Sequence, residues 1–187
     1  MRRILPLAAL TLIIFSTSAI AQIEIGASFE LRNEDPESGF GLRIQKGFFE
    51  ILPMVDVGLR AHFSYFREEN QVDDSGGFSY SEDLTNYDFG IAAYGGVSLG
   101  LMEPYIGLGL GSETTDINVD YPLGAGPGPE EGEESNIYWN TFVGAKVTII
   151  PLVKPFVEYR YSNKELGEPT LADAQNGRIM FGVNLSF

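Results

Sequence analysis

The chain contains no cysteine, so no disulfide framework, thiolate metal site or thiol nucleophile is available to it. Its stability has to come from packing and hydrogen bonding alone. Basic residues are also scarce, with 12 Lys and Arg against 26 Asp and Glu and a formal net charge of −14. A surface this acidic repels nucleic-acid phosphates, which sets aside nucleic acid as a partner. Histidine occurs once, as His62, which leaves a single candidate for an imidazole base. After residue 21 no apolar stretch approaches the roughly 18 uncharged residues of a transmembrane helix. If the mature chain enters a membrane, only a closed β-barrel satisfies its backbone hydrogen bonds there.

What is present begins at the N-terminus. Arg2 and Arg3 precede an apolar run over residues 4–15 and a small-residue stretch ending in Ala19, Ile20 and Ala21. This is the pattern of a secretory signal peptide over residues 1–21, with cleavage expected after Ala21. The run is shorter than the roughly 20 residues that a spanning helix needs. Residues 22–187 then form one domain by length, more acidic still because both arginines leave with the signal.

The remaining sequence divides into eight segments in which apolar and polar residues alternate, over residues 22–33, 39–49, 53–67, 85–99, 102–115, 136–150, 153–163 and 176–187. Each is near or above the roughly 9 to 11 residues that a tilted strand needs to cross a bilayer. The gaps around residues 50–52, 100–101 and 151–152 are tight. The other four are longer and polar, notably 68–84 and 115–134, which are rich in Gly, Pro, Asp, Glu and Ser and read as loops. The expected fold is all-β: an eight-stranded antiparallel up-and-down transmembrane barrel, with short periplasmic turns, long extracellular loops and both termini periplasmic.

Alternation also assigns faces. Ile23, Ile25, Ala27, Phe29 and Leu31 oppose Glu24, Gly26, Ser28, Glu30 and Arg32, and Ile179, Phe181, Val183, Leu185 and Phe187 oppose Arg178, Met180, Gly182, Asn184 and Ser186. A soluble lipocalin-like barrel would turn the apolar face inward. The number of charges on the polar face favours a polar interior and a lipid-facing exterior. Tyr65, Tyr138, Trp139, Tyr159 and Tyr161 are placed for an interfacial girdle on the loop side, and Phe48, Phe49 and Phe187 for one on the turn side.

With these features the chain resembles the OmpA-like eight-stranded outer-membrane barrels, the outer-membrane protein β-barrel domain family, over nearly all of residues 22–187. The resemblance is carried by the signal peptide, the eight segments and the last strand, where Phe187 follows Phe181, Val183 and Leu185 at every second position. It implies residence in the outer membrane in contact with lipid and lipopolysaccharide. It also implies that the barrel assembly machinery reads Phe181, Val183, Leu185 and Phe187 during biogenesis, and that the product is a monomer. Nothing here resembles the periplasmic peptidoglycan-binding domain that some members add.

An eight-stranded barrel is only wide enough for side chains to fill, so the inward residues decide what the interior does. Alternation places Glu24, Glu30, Asp56, Asp88, Glu103 and Glu158 inside, together with Arg32, Arg43, Arg60, His62, Lys146, Arg160 and Arg178. Balanced buried charges read as an ion-pair network that plugs the lumen, and removing Arg60 or Arg160 is expected to strand a buried acid. Inward glycines, among them Gly26, Gly58, Gly90, Gly107, Gly144 and Gly182, leave room for Tyr94, Tyr105, Phe156 and the arginines. A small porin-like channel is the alternative.

Catalysis has one candidate, His62 beside Ser64 on a shared face, with Glu68 or Asp88 to orient the ring. A lipid A deacylase family of similar barrels follows its His-x-Ser pair with Asn. Tyr65 stands there in this chain, so the expectation is a non-enzymatic barrel in which His62 is hydrogen-bonded between Arg60 and an acid. The acidic pairs Asp73-Asp74, Glu82-Asp83, Glu130-Glu131 and Glu133-Glu134 lack EF-hand spacing. They read as solvated surface, with no metal or cofactor.

Overall fold

The computed structural model describes residues 23–52, 54–73, 79–120, 132–150, 152–163 and 175–187. The expected signal peptide lies outside them. Eight strands follow in order, β1 Ile23–Arg32, β2 Ser38–Leu52, β3 Val55–Asp73, β4 Ser79–Val97, β5 Met102–Asp120, β6 Gly132–Val147, β7 Val153–Asn163 and β8 Gln175–Ser186. Each pairs antiparallel with its sequence neighbour, and β1 closes onto β8 over Glu24↔Ser186 to Arg32↔Arg178. The result is a closed barrel. Closure leaves no strand edge along the paired length, which is what a backbone in lipid requires.

The faces divide as alternation demands. In β1 every even position from Glu24 to Arg32 is buried and every odd one exposed. Large apolar residues point outward throughout, including Phe40, Phe89, Ile91, Leu108, Val143 and Phe181, with Leu108 62 % exposed. Buried positions are instead dominated by charged and polar side chains. This is the reverse of a soluble barrel, so the lipocalin-like arrangement does not apply.

Two expectations need correction. Residues 68–84 and 115–134 are not simply loops, because β3 and β4 pair without a break to Asp73↔Ser79 and β5 pairs with β6 up to Ile117↔Gly132. Pairing in water requires no apolar face, so these extensions carry no alternating signal to read. Tyr138 is not a girdle residue either. Ile137 and Trp139 point outward on both sides of it, and the pleat therefore sends Tyr138 into the lumen, where it is 0 % exposed.

The other loop-side aromatics do face outward, and two pairs touch across strands, Tyr65 with Tyr87 at 5.4 Å and Trp139 with Tyr161 at 5.9 Å between ring centroids. On the turn side Phe187 is 71 % exposed, and Phe48 is half-buried beside a register shift in β2. The Phe49 side chain lies outside the described residues.

Inward glycines admit the bulky residues beside them. A Cβ on Gly144 would sit 2.5 Å from the Tyr105 ring and 2.7 Å from the Val157 carbonyl oxygen. Gly144→Ala is therefore expected to displace Tyr105 and destabilise the barrel by about 1–3 kcal/mol, the usual cost of overpacking. A denaturant titration in micelles measures it.

Candidate functional site: the charged lumen

The interior is organised as three linked charge clusters, stacked from the turn end to the loop end. Nearest the turns, Glu24 of β1 and Glu103 of β5 face Lys146 of β6 and Lys154 of β7. Lys146 Nζ lies 3.1 Å from Glu24 and 3.2 Å from Glu103, and Lys154 Nζ lies 2.9 and 3.2 Å from the same two carboxylates. Each ammonium thus bridges two acids. Gln45 and Asn184 donate to Glu24 at 2.5 and 3.0 Å, and Thr148 donates to Glu103 at 2.7 Å. Half-buried Asp56 accepts a hydrogen bond from the Tyr94 hydroxyl at 3.2 Å.

The middle cluster centres on Glu158 of β7. Its Oε2 accepts from Arg60 at 2.5 Å, Arg43 at 3.0 Å and the Tyr105 hydroxyl at 2.9 Å, while Oε1 accepts from Arg160 at 3.3 Å. Asn184 and Gln45 join this cluster to the one below, accepting from Arg43 Nε and Arg60 Nε respectively. The guanidinium faces rest on aromatic rings, Arg43 3.2 Å from the Phe156 centroid and Arg60 4.3 Å from that of Phe142. Both arginines are buried, and such cation–π contacts help to offset their desolvation.

Towards the loops, Arg178 of β8 ties together Asp88, Glu113 at 3.4 Å and Glu30 at 3.9 Å. Asp88 also accepts from the Tyr138 hydroxyl. Glu113 accepts from Arg32 at 2.8 Å and Asn86 at 2.6 Å. Glu30 accepts from Ser28 and Ser64 at 3.0 and 3.1 Å.

All the lumen residues named from the sequence therefore lie inside, with Asp56 and Glu103 only half-buried near the turn end. Two charged members were missed, Glu113 and Lys154, one of each sign. Strand parity was available to find them, since Glu113 shares a face with Tyr105 and Lys154 with Phe156 and Glu158. Lys154 is the second residue of β7, and Glu113 lies near the end of the segment 102–115 that alternation marks, where the pattern is least sharp. Phe181, Val183, Leu185 and Phe187 of the terminal strand all point outward.

His62 differs from expectation. Its Nε2 lies 3.1 Å from the Tyr138 hydroxyl and 3.5 Å from Asp88, and it does not meet Arg60, which turns toward Glu158 and Gln45. The Tyr138 hydroxyl donates to Asp88, so the Nε2 edge of the ring faces Tyr138 and Asp88 and not a serine hydroxyl. Ser64 donates to Glu30 rather than to the ring, and Glu68, half-buried, accepts from the Glu37 backbone N–H. His62 and Ser64 thus share a face without forming a nucleophile–base pair. Among the described residues no cluster of three or more His, Cys, Asp or Glu is arranged to hold a metal ion. Asp74, Glu130 and Glu131 lie outside the described residues.

No family model matches the chain, and no curated protein sequence is significantly similar to it. Solved structures do match. The chain is similar to Neisserial surface protein A at 17 % identity and a TM-score of 0.55, over 89 % of this chain and 97 % of that one. It is similar to the Yersinia pestis attachment invasion locus protein Ail at 17 % identity and a TM-score of 0.54, with the same coverage. A major outer membrane protein of Thermus thermophilus matches at 13 % identity and a TM-score of 0.61, over 90 % of this chain and all of that one. At such identities the likeness defines the fold, which is that of the OmpA-like eight-stranded outer-membrane barrels.

Proposed function

We propose that the protein is a non-catalytic outer-membrane barrel whose role is structural or surface-interactive, with a lumen closed by its ion-pair network. The observation that carries this reading is the middle of the lumen, where Glu158 draws Arg43, Arg60 and Arg160 together from β2, β3 and β7. Cross-lumen contacts of this kind fill the bore and tie opposite walls to one another. The apolar exterior supports burial in lipid. Export with cleavage after Ala21, periplasmic turns and termini, and acidic extensions of β3–β6 on the outer side complete the proposal. The surrounding outer-membrane lipid and lipopolysaccharide are its permanent contacts, the assembly machinery engages the terminal strand through Phe181, Val183, Leu185 and Phe187, and the working unit is a monomer.

A small channel for solutes is the competing function, and planar-bilayer recording separates the two. The refolded protein is expected to give no discrete conductance steps at moderate voltage. Regular single-channel openings would replace the plug with a pore.

A further inference from the structure

Three arginines share one carboxylate in the middle of the lumen, and they do not share it equally. Arg60 and Arg43 reach Glu158 at 2.5 and 3.0 Å, whereas Arg160 stands at 3.3 Å. Arg43 and Arg60 also donate through Nε to Asn184 and Gln45 and lie on aromatic faces. Arg160 is differently placed. Its Nε and Nη1 have no acceptor on the protein, although the residue is 1 % exposed. Glu30 and Asp88, which act on it at longer range, are each tied to Arg178.

The wall next to Arg160 carries the same deficit. Ser162 follows on the same inward face and pairs in register with Asn140 of β6, and both residues are 0 % exposed. Neither the Ser162 hydroxyl nor either amide atom of Asn140 has a partner on the protein. On the β5 and β4 side the next inward positions are Gly109 and Ala92, which offer no polar side chain. Buried donors left without a partner are costly. Here they occur as a local group, beside three guanidiniums that share Glu158.

Buried guanidinium, amide and hydroxyl donors without partners on the protein match a small inorganic anion. We propose that Arg160, Asn140 and Ser162 form a buried site for a chloride-sized anion, which satisfies these donors and completes the plug. The inference rests on the closed-lumen reading above. Its chemistry needs only the groups named, with Arg160 supplying charge and Asn140 Nδ2 and the Ser162 hydroxyl supplying further donors.

The test compares the unfolding midpoint of the refolded barrel in chloride with that in gluconate, at equal ionic strength. The gel-mobility change on heating provides the readout. The native sequence is expected to unfold roughly 3 °C or more higher in chloride, and bromide is expected to act like chloride. In the Asn140→Ala, Ser162→Ala double variant, which keeps every charge pair, that anion-specific difference is expected to vanish. Equal midpoints in the two salts for the native sequence would show that water satisfies these donors and would overturn the site. So would an anion-specific difference that persists in the double variant. Bilayer recording keeps the two proposals separable: a conducting barrel with the chloride effect intact overturns the plug alone, and a silent barrel without it overturns the anion site alone.

Discussion

Glu158→Leu is expected to lower the unfolding midpoint of the barrel by about 10 °C. The substitution removes the carboxylate that Arg43, Arg60 and Arg160 hold in common, inside a lumen where Glu158 is 1 % exposed. Breaking a buried pair from one side costs about 3–5 kcal/mol, because the remaining charges stay buried without compensation. For a chain of this size each kcal/mol moves the midpoint by roughly 2–4 °C. Arg160→Leu makes the contrast. It leaves Glu158 with two arginines and removes two donors that have no acceptor on the protein, so in gluconate, where no chloride is bound, its effect is expected to stay within about 2 °C. From the sequence Arg60 and Arg160 look equivalent, each stranding an acid when removed. The distances make them unequal. Heating curves followed by gel mobility measure both variants, and equal shifts for Glu158→Leu and Arg160→Leu would mean that the shared carboxylate does not organise the middle cluster.

The second large effect is expected at Arg178. This side chain is 0 % exposed and lies against Asp88, Glu113 and Glu30. Arg178→Leu leaves Arg32 on Glu113, but Asp88 keeps, among the described residues, the Tyr138 hydroxyl, the ring of His62 and the longer-range attraction of Arg160. A nearly isolated buried carboxylate results, and a loss of about 3–5 kcal/mol is expected. Neutralising the stranded acid provides the check. Asp88→Asn added to Arg178→Leu is expected to recover a substantial part of the loss, a coupling that a double-mutant cycle in denaturant measures. Additive losses would mean that the two residues do not act as a pair.

Much of this architecture is legible in the sequence because a barrel strand has one strict rule, the two-residue period. The eight segments, the inward set from Glu24 to Arg178 and the outward set ending in Phe187 all follow from it. The rule fails to mark where strands stop. Above the apolar belt the pairs Glu69↔Asp83 and Asn70↔Glu82 hold β3 to β4 with polar residues on both faces, and no periodicity distinguishes them from loop. Tyr138 shows two rules in conflict: an aromatic near a strand end suggests a girdle, whereas parity sends it inward, and parity prevails because the pleat is a property of the backbone. Lumen pairing was not legible at all. Arg43 and Glu158 come from β2 and β7, and Arg178 and Asp88 from β8 and β4. Which long side chains meet across the bore depends on strand tilt and stagger, which the order of residues along one strand does not express.

Gel mobility of the outer-membrane fraction in SDS, boiled against unboiled, tests most directly whether the chain is a closed barrel embedded in the outer membrane. The protein is expected in that fraction, and its mobility is expected to change on heating, as a detergent-resistant barrel opens. Recovery from the soluble periplasmic or secreted fraction, with one mobility before and after boiling, would contradict it.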